Sequence, residues 1–438
     1  MASVLRQHDF RLLWSAQTIS ELGSAVTTVA FPLIAIGTLH ASNFAVGVLT
    51  ASGTAAWLLV GLPAGVWVDR WPRRPVMVAA DLGRAALMTS VPLAWAFGVL
   101  TVAQLALVAL LTGVLAVFFN VADTAFLPAV LEPDRLSDGN SLLQASFAGS
   151  GIAGPGLGGA LVQLFGAPAA VLADAASFVV SALCVLRIRA TERRPAATER
   201  PVSAERPAAV ERRLAREVAE GVRFVLGFSL TRAVVSSVTV TNFLYGGFDA
   251  VVFVFLVRQL GVRPAVVGLL FAIGGIGGLA GSLGAGAAAR RFGDARVLWL
   301  SLAVEAVSGL MIPLTTSGWG LSWFVAAISA MSFGIAMFNV CVITAVQAAT
   351  PEALLGRTIA STRVFTRSAL TLGGLAGGAL ASVVSPRSAL AILTALAVLV
   401  PVRLRLSAVG RVRRLSDLSA DTRGHTAGTL PVASSPID

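Results

Sequence analysis

The segment Gly65–Arg74 reads GVWVDRWPRR and separates two long apolar runs; a related segment, GAAARRFGDAR at Gly286–Arg296, separates two others 221 residues further along. Two more segments recur at a constant spacing of 219 residues, with no gap between them. They are Phe119–Val121 with Phe338–Val340, and Gly154–Leu161 (GPGLGGAL) with Gly373–Leu380 (GGLAGGAL). Three pairs in nearly constant register indicate that the chain consists of two repeated halves.

Apolar runs long enough to cross a membrane make up most of the 438 residues. The chain is 56% hydrophobic and 13% charged, about half the charged fraction of an average soluble domain. Strands would leave backbone groups unpaired in lipid, so the runs are predicted as helices. They cover residues 12–38, 44–68, 75–98, 101–129, 141–165, 168–187, 230–257, 264–289, 295–315, 318–347, 359–384 and 386–404. The predicted fold class is an all-α membrane protein with twelve transmembrane helices in two pseudo-symmetric six-helix halves.

A polar stretch between the sixth and seventh runs sets the domain organisation. We predict an N-terminal half over residues 1–187, a cytoplasmic linker over 188–226, a C-terminal half over 227–406 and a disordered cytoplasmic tail over 407–438. The second part of the linker has apolar residues at a four-residue spacing, which predicts an amphipathic helix on the inner leaflet.

Arginine bias predicts the orientation. Arginines cluster in alternate loops, at residues 69–74, 187–216, 290–296 and 411–414. The positive-inside rule places these loops and both termini in the cytoplasm. Arg258, Arg263 and Arg387 are exceptions on the other side. We expect the protein to be a monomer that crosses a bacterial inner membrane several times and is surrounded by its lipids.

Several chemistries are excluded or disfavoured by composition. The chain contains no lysine, so neither a Walker-A loop nor a lysine Schiff base can form. Its net charge of +11 comes from arginines between apolar runs, which does not favour nucleic-acid binding. The three histidines lie outside the runs, and Cys184 and Cys341 are predicted to be packing residues. No enzymatic activity, metal or cofactor is predicted.

The loop between the second and third spans resembles the hallmark loop of the major facilitator superfamily. The matching positions are Gly65, Asp69, Arg70, Arg73 and Arg74, with Pro72 where the family has glycine. A degenerate copy lies where that family keeps one, between the eighth and ninth spans, with an arginine in place of the acid. It comprises Gly286, Arg290, Arg291, Gly293 and Arg296.

Other segments extend the resemblance to essentially all the spans. Residues Gly154, Pro155, Gly158 and Gly159 look like the family's antiporter motif. Phe10–Trp14 and the stretch from Pro128 to Asn140 resemble the branch of macrolide and siderophore (enterobactin-type) exporters. The resemblance implies a secondary active transporter that exports drugs, antibiotics or other small amphiphilic metabolites by alternating access.

Acids inside apolar runs are costly and indicate function. We predict three candidates for proton coupling: Glu21, near mid-membrane in the first span, Asp249 in the seventh, and Asp123 in the fourth, for which a structural or gating role is the favoured alternative. Asp81 and Arg84 are three residues apart and predict a local ion pair. Many exporters of the family carry an arginine in the middle of span four, which this chain lacks. Coupling therefore rests on the acids or uses another ion.

Two interpretations stay open at the gating loop and at the substrate site. Asp69 could latch one conformation, or the arginines could only anchor the loop inside; the glycines of the antiporter-like motif could be a hinge or simple packing. Candidate cavity residues are Gln17, Trp57, Asn120, Asn242 and Tyr245. An importer of the same fold and a non-transporting membrane scaffold or sensor remain alternatives to the exporter.

Overall fold

The computed structural model describes residues 4–68, 70–190, 229–349 and 352–412. Every regular element within these ranges is helical, as the apolar runs predict. Asp69, the predicted linker helix and most of the predicted tail lie outside the described residues.

The first half consists of six long helices. They are α1 (His8–Leu33), α2 (Asn43–Val68), α3 (Arg73–Ala96), α4 (Val102–Val130), α5 (Leu136–Phe165) and α6 (Ala167–Leu186). A π-helical turn, Ile34–Thr38, extends α1, and a 3₁₀ turn, Pro133–Arg135, precedes α5.

The second half repeats this order. It contains α7 (Ser229–Val254), α8 (Pro264–Phe292), α9 (Asp294–Met311), α10 (Leu321–Ala349), α11 (Glu352–Val383), α12 (Pro386–Ala397), α13 (Leu399–Leu406) and the short α14 (Ala408–Arg411). A π-helical turn, Phe255–Gln259, extends α7 just as one extends α1. The last predicted span is two helices, α12 and α13.

Ten helical segments of the described chain are long and apolar enough to cross a membrane. The other two long helices, α5 with 30 residues and α11 with 32, have polar first turns that lower their mean hydropathy. Together these twelve spans give the predicted all-helical membrane fold.

The pattern of helix contacts shows the pseudo-symmetry. In the first half α1 packs on α5 and α6, and in the second half α7 packs on α11 and α12. The two halves meet mainly where α2 packs on α11 and where α5 packs on α8. These two contacts are equivalent under the pseudo-symmetry, because α2 corresponds to α8 and α5 corresponds to α11.

The repeated glycines explain this symmetry at the level of residues. Gly154 and Gly158 of α5 face α1, while their repeat partners Gly373 and Gly377 of α11 face α7. The next glycine of each motif contacts the other half: Gly159 faces α8, and its repeat partner in α11 faces α2. Missing side chains therefore let α5 and α11 each pack closely on two helices at once.

Candidate functional site

We call the two ends of the bundle inner and outer, after the orientation that the arginine bias predicts. The outer parts of α2 and α11 are joined by pairs of residues along their length. Asn43 donates a hydrogen bond to the Ala381 carbonyl at 2.7 Å. A Cβ atom added to Gly378 would lie 2.7 Å from the Gly47 Cα atom, so the two backbones touch.

The α2–α11 contact continues towards the middle of the bundle. The hydroxyl oxygens of Thr54 and Thr371 are 2.9 Å apart. One turn deeper, the Arg367 guanidinium lies 5.5 Å from the centre of the Trp57 ring. Trp57, which is predicted to line the cavity, is therefore the innermost α2 residue of these contacts between α2 and α11.

The α5–α8 contact closes the opposite side of the bundle in the same manner. Gly159 and Gly268 approach so closely that a Cβ atom on Gly159 would lie 2.8 Å from the Gly268 Cα atom. The contact continues inward through Gly156 against Ala272 and Gly275 against Ile152. Small residues again allow the backbones of two helices from different halves to meet.

Arg258, in the π-helical turn after α7, ties the outer ends of the halves together. Its guanidinium donates to the Asn43 side-chain oxygen at 2.8 Å and also to the Ala41 carbonyl. Asn43 thus joins Arg258 and Ala381, both of the second half. With the α2–α11 and α5–α8 contacts, this clamp closes the outer face of the bundle.

A charged cluster is buried inside the first half. Asp81 and Arg84 of α3 form the predicted ion pair, and both are almost fully buried. The Arg84 guanidinium lies between two rings, 4.7 Å from the centre of Phe119 and 4.2 Å from that of Phe178. Helices α4 and α6 supply these rings, so the arginine is held between three helices.

Asp174 of α6 also belongs to this cluster and was missed from the sequence. Its carboxylate accepts hydrogen bonds from the Thr27 hydroxyl at 2.5 Å and from the Ser177 hydroxyl at 3.2 Å, and it is 1% exposed. Asp174 lies inside the sixth apolar run, so the criterion that selected Glu21 would have found it. Gly23 of α1 makes room for α6 at this point.

Glu21 is half-buried on α1 and interacts electrostatically with Arg84. No arginine lies three or four residues from Glu21 on α1; the cation in its electrostatic range, Arg84, belongs to α3. Asp123 of α4 faces the Gln17 side chain and lies within electrostatic range of Glu21 and Asp81. The structure therefore brings together two of the three predicted coupling acids, Glu21 and Asp123.

Asp249, the third predicted acid, is half-buried on α7 in the other half. Its charge and that of Glu305 on α9 lie within electrostatic range of Tyr245. Tyr245 is 40% exposed and stacks on Phe248, with ring centres 6.3 Å apart. The Glu305 backbone abuts α10 at Gly334.

The two asparagines that are predicted to line the cavity donate hydrogen bonds to carbonyl groups of their own helices. Asn120 is exposed and donates to the Ala116 carbonyl, whereas Asn242 is half-buried and donates to the Val238 carbonyl. Each side-chain oxygen is thus directed away from that bond and can accept a hydrogen bond from another group.

The arginines after Asp69 contact their own half. Arg73 donates to the Ala125 carbonyl of α4 at 3.0 Å, and Arg74 donates to the Val185 carbonyl at the end of α6 at 3.1 Å. An arginine is favourable at the end of α6 because the last carbonyls of a helix have no partner within the helix. Pro72 precedes α3 with φ −60°, a value that proline adopts without strain.

The corresponding loop in the second half is a tight turn. Gly293 separates α8 from α9 with φ +91°, a conformation that favours glycine. Arg290, Arg291 and Arg296 are exposed around it, and Arg291 lies over the Phe292 ring. Gly286 lies one turn before Arg290 on α8.

The family of transmembrane secretion effectors, which are major facilitator superfamily transporters, matches residues 2–427. The chain belongs to this family. It is therefore a multi-pass membrane transporter and not an enzyme.

Individual relatives are distant. This transporter is 30% identical to the multidrug efflux pump Tap of Mycolicibacterium fortuitum over 62% of its own chain, and the match spans only 65% of Tap. It is 24% identical to the MFS-type transporter YfiS of Bacillus subtilis over 86% of its own chain and 87% of YfiS. In fold it is similar to a bacterial homologue of the iron transporter ferroportin, with a TM-score of 0.68 and 17% identity over 91% of this chain and 98% of that one.

Proposed function

We propose that this transporter exports small amphiphilic molecules from the cytoplasm by alternating access, in exchange for protons. The observation that carries the proposal is the set of carboxyl groups inside membrane-spanning helices: Glu21, Asp123 and Asp249. Such groups are expensive in a bilayer unless they serve transport or are paired. Export, rather than import, is favoured by the name of the family and by the resemblance to exporters.

The substrate site proposed here lies between the halves, inward of the α2–α11 and α5–α8 contacts. Tyr245 and Asn120 are exposed, and Gln17, Trp57 and Asn242 are partly so. Few polar groups among many apolar ones suit an amphiphilic organic compound. The closed outer face would leave this site accessible from the cytoplasm, the side from which an exporter loads its substrate.

Proton coupling requires that substrate and proton favour opposite openings of one two-state equilibrium. Glu21 is placed for this role because it lies on α1, which contacts both α5 and the charged cluster. In the protonated state it would lose its attraction to Arg84. The loop around Asp69 is proposed to bias the same equilibrium from the inner face.

The test compares the parent with Glu21→Gln in inverted membrane vesicles, using a fluorescent amphiphile selected from a panel for uptake by the parent. Glutamine mimics the protonated acid but cannot exchange a proton, so we expect downhill movement to continue and concentrative uptake to be lost. Glu132→Gln is the matched control, because that carboxylate is exposed and pairs with Arg135 in a loop. Concentrative uptake at the parent rate by Glu21→Gln would exclude Glu21 as the coupling site and direct attention to Asp249.

The importer and the scaffold predict different results in the same vesicles. An importer would accumulate the probe in right-side-out vesicles instead. A non-transporting scaffold would accumulate no probe of the panel in either orientation.

A further inference from the structure

Arg84 is the only arginine among the buried residues of the described chain. Its guanidinium is fixed on two faces by the Phe119 and Phe178 rings and at its end by Asp81. Stacking of this kind leaves an arginine little freedom to move towards one partner or another. Charged neighbours must therefore come to Arg84.

Carboxyl groups from two other helices do so. Glu21 on α1 and Asp174 on α6 both interact electrostatically with Arg84, in addition to Asp81 on α3 itself. Asp123, the acid on the adjoining α4, lies within range of Glu21 and Asp81. These are the titratable groups that α1, α3, α4 and α6 present to the cluster.

The cluster contains more carboxyl groups than cations. Three carboxyl groups, Glu21, Asp81 and Asp174, share one guanidinium. If all three were ionised, the cluster would hold two uncompensated negative charges while two of its carboxylates, Asp81 and Asp174, are almost fully buried, which is strongly unfavourable. The hydroxyls of Thr27 and Ser177 offset part of this cost at Asp174, but hydroxyl groups carry no charge.

We propose that Glu21, Asp81, Arg84 and Asp174 form one proton-binding centre, in which Arg84 is the positioning residue that sets which carboxyl group holds the proton. Arg84 belongs to α3 and lies within electrostatic range of Glu21 on α1 and of Asp174 on α6. The role of the centre in coupling rests on the proposed function, but its proton binding can be measured without transport.

The position of the centre connects it to the outer contact between the halves. Thr27, which bonds Asp174, follows Ala25 and Val26, and these two residues pack against Gly154 and Gly158 of α5. The next residue of α5, Gly159, contacts α8. Only α5 therefore separates the α1–α6 contact, which proton binding would change, from the α5–α8 contact, which must separate for the outer face to open.

The experiment is infrared pH-difference spectroscopy of the full-length protein in lipid vesicles, without any substrate. It detects the carbonyl band of protonated carboxyl groups. The test variant is the charge-neutral double substitution Asp81→Asn with Arg84→Gln, since it leaves no unpaired aspartate on α3. Arg387→Gln is the matched control: Arg387 also lies over a phenylalanine ring, 5.5 Å from Phe255, and bonds to the Thr315 carbonyl.

With the shared cation removed, Glu21 and Asp174 should retain protons at neutral pH, a gain of roughly one protonated carboxyl group per molecule over the parent. Adding Glu21→Gln or Asp174→Asn should abolish part of the gained band, and Arg387→Gln should leave the parent spectrum unchanged. A folded double variant without any gain would overturn the proposal.

If the double variant does not fold, Arg84→Lys combined with Asp174→Asn is measured instead. A carbonyl band equal to that of Arg84→Lys alone would also overturn the proposal. Loss of transport alone bears on the proposed function, not on this centre.

Discussion

At the scale of single residues, the charged centre depends on the lack of a side chain at Gly23. A Cβ atom on Gly23 would lie 2.7 Å from the Asp174 carboxylate and 2.7 Å from the Ser177 Cβ atom. Any larger residue would push α6 away from α1 and lengthen the Thr27–Asp174 hydrogen bond. The sequence could not reveal this, because Gly23 is one of several small residues of α1, the others being alanines and serines, whose facing partners are unknown until the helices pack.

Gly23→Ala should therefore destabilise the protein by about 1–3 kcal/mol, the usual cost of inserting a methyl group into a close-packed site. The measurement is thermal unfolding of the purified protein in detergent, compared with Gly53→Ala. Gly53 has no atom within 4 Å of an added Cβ, so alanine there should be neutral or slightly stabilising. Equal unfolding temperatures for the two variants would contradict the described α1–α6 contact.

At the scale of elements, hydropathy predicted the helices well and their interruptions poorly. The span predicted at residues 101–129 is α4, Val102–Val130, whereas α5 begins at Leu136 and not at residue 141. Its first turns are polar and extend the helix beyond the apolar run. The last span is broken near Val398 because Pro401 in the next turn cannot donate the backbone hydrogen bond that would continue the helix.

The sequence could not predict which helices pack against one another. Repeat spacing identified the α5 and α11 glycines, and the fold confirms that they occupy equivalent positions. Nothing in the spacing says that α3 supplies the cation for an acid on α1. Hydrophobic periodicity identifies a buried face but does not identify the helix that covers it.

The glycine contact between α2 and α11 gives a prediction at this scale. Gly378→Ala should oppose closure of the outer face, since the new methyl group would meet the Gly47 backbone only when the halves are in contact. A cost of about 1 kcal/mol would reduce the ratio of closed to open molecules roughly fivefold. The reporter is disulfide formation between cysteines at Thr54 and Thr371, in a background with serine at Cys184 and Cys341.

We expect slower crosslinking in Gly378→Ala than in the parent. Gly151→Ala is the matched control, because no atom lies within 4 Å of a Cβ at that position. Unchanged crosslinking in both variants would mean that the α2–α11 contact tolerates the methyl group and that closure does not depend on it.

At the scale of the whole molecule, the proposed alternating access makes this structure one end state of a movement between the two halves. The contacts described between the halves lie in the outer parts of α2, α5, α8 and α11. Because the halves are related by an axis along the membrane normal, rocking about the centre would separate these contacts and bring the inner ends together. The hydrogen bonds of Arg258 are then made only in the outer-closed state and should bias the equilibrium towards it.

Arg258→Gln should consequently shift the protein towards the outer-open state. A hydrogen bond to a charged group contributes about 1.5 kcal/mol at the lower end of its range, which corresponds to a change of roughly tenfold in the ratio of the two states. The measurement is the labelling rate of a single cysteine at Thr54 by a membrane-impermeant maleimide added from outside. Thr54 is covered by Thr371 while the outer face is closed, so labelling should be faster in Arg258→Gln.

Arg263→Gln is the control, since that arginine is exposed on the same face at the start of α8. In this variant the cysteine at position 54 should be labelled at the parent rate. Equal rates for Arg258→Gln and Arg263→Gln would show that the clamp contributes nothing to closure and that the glycine contacts alone hold the outer face shut.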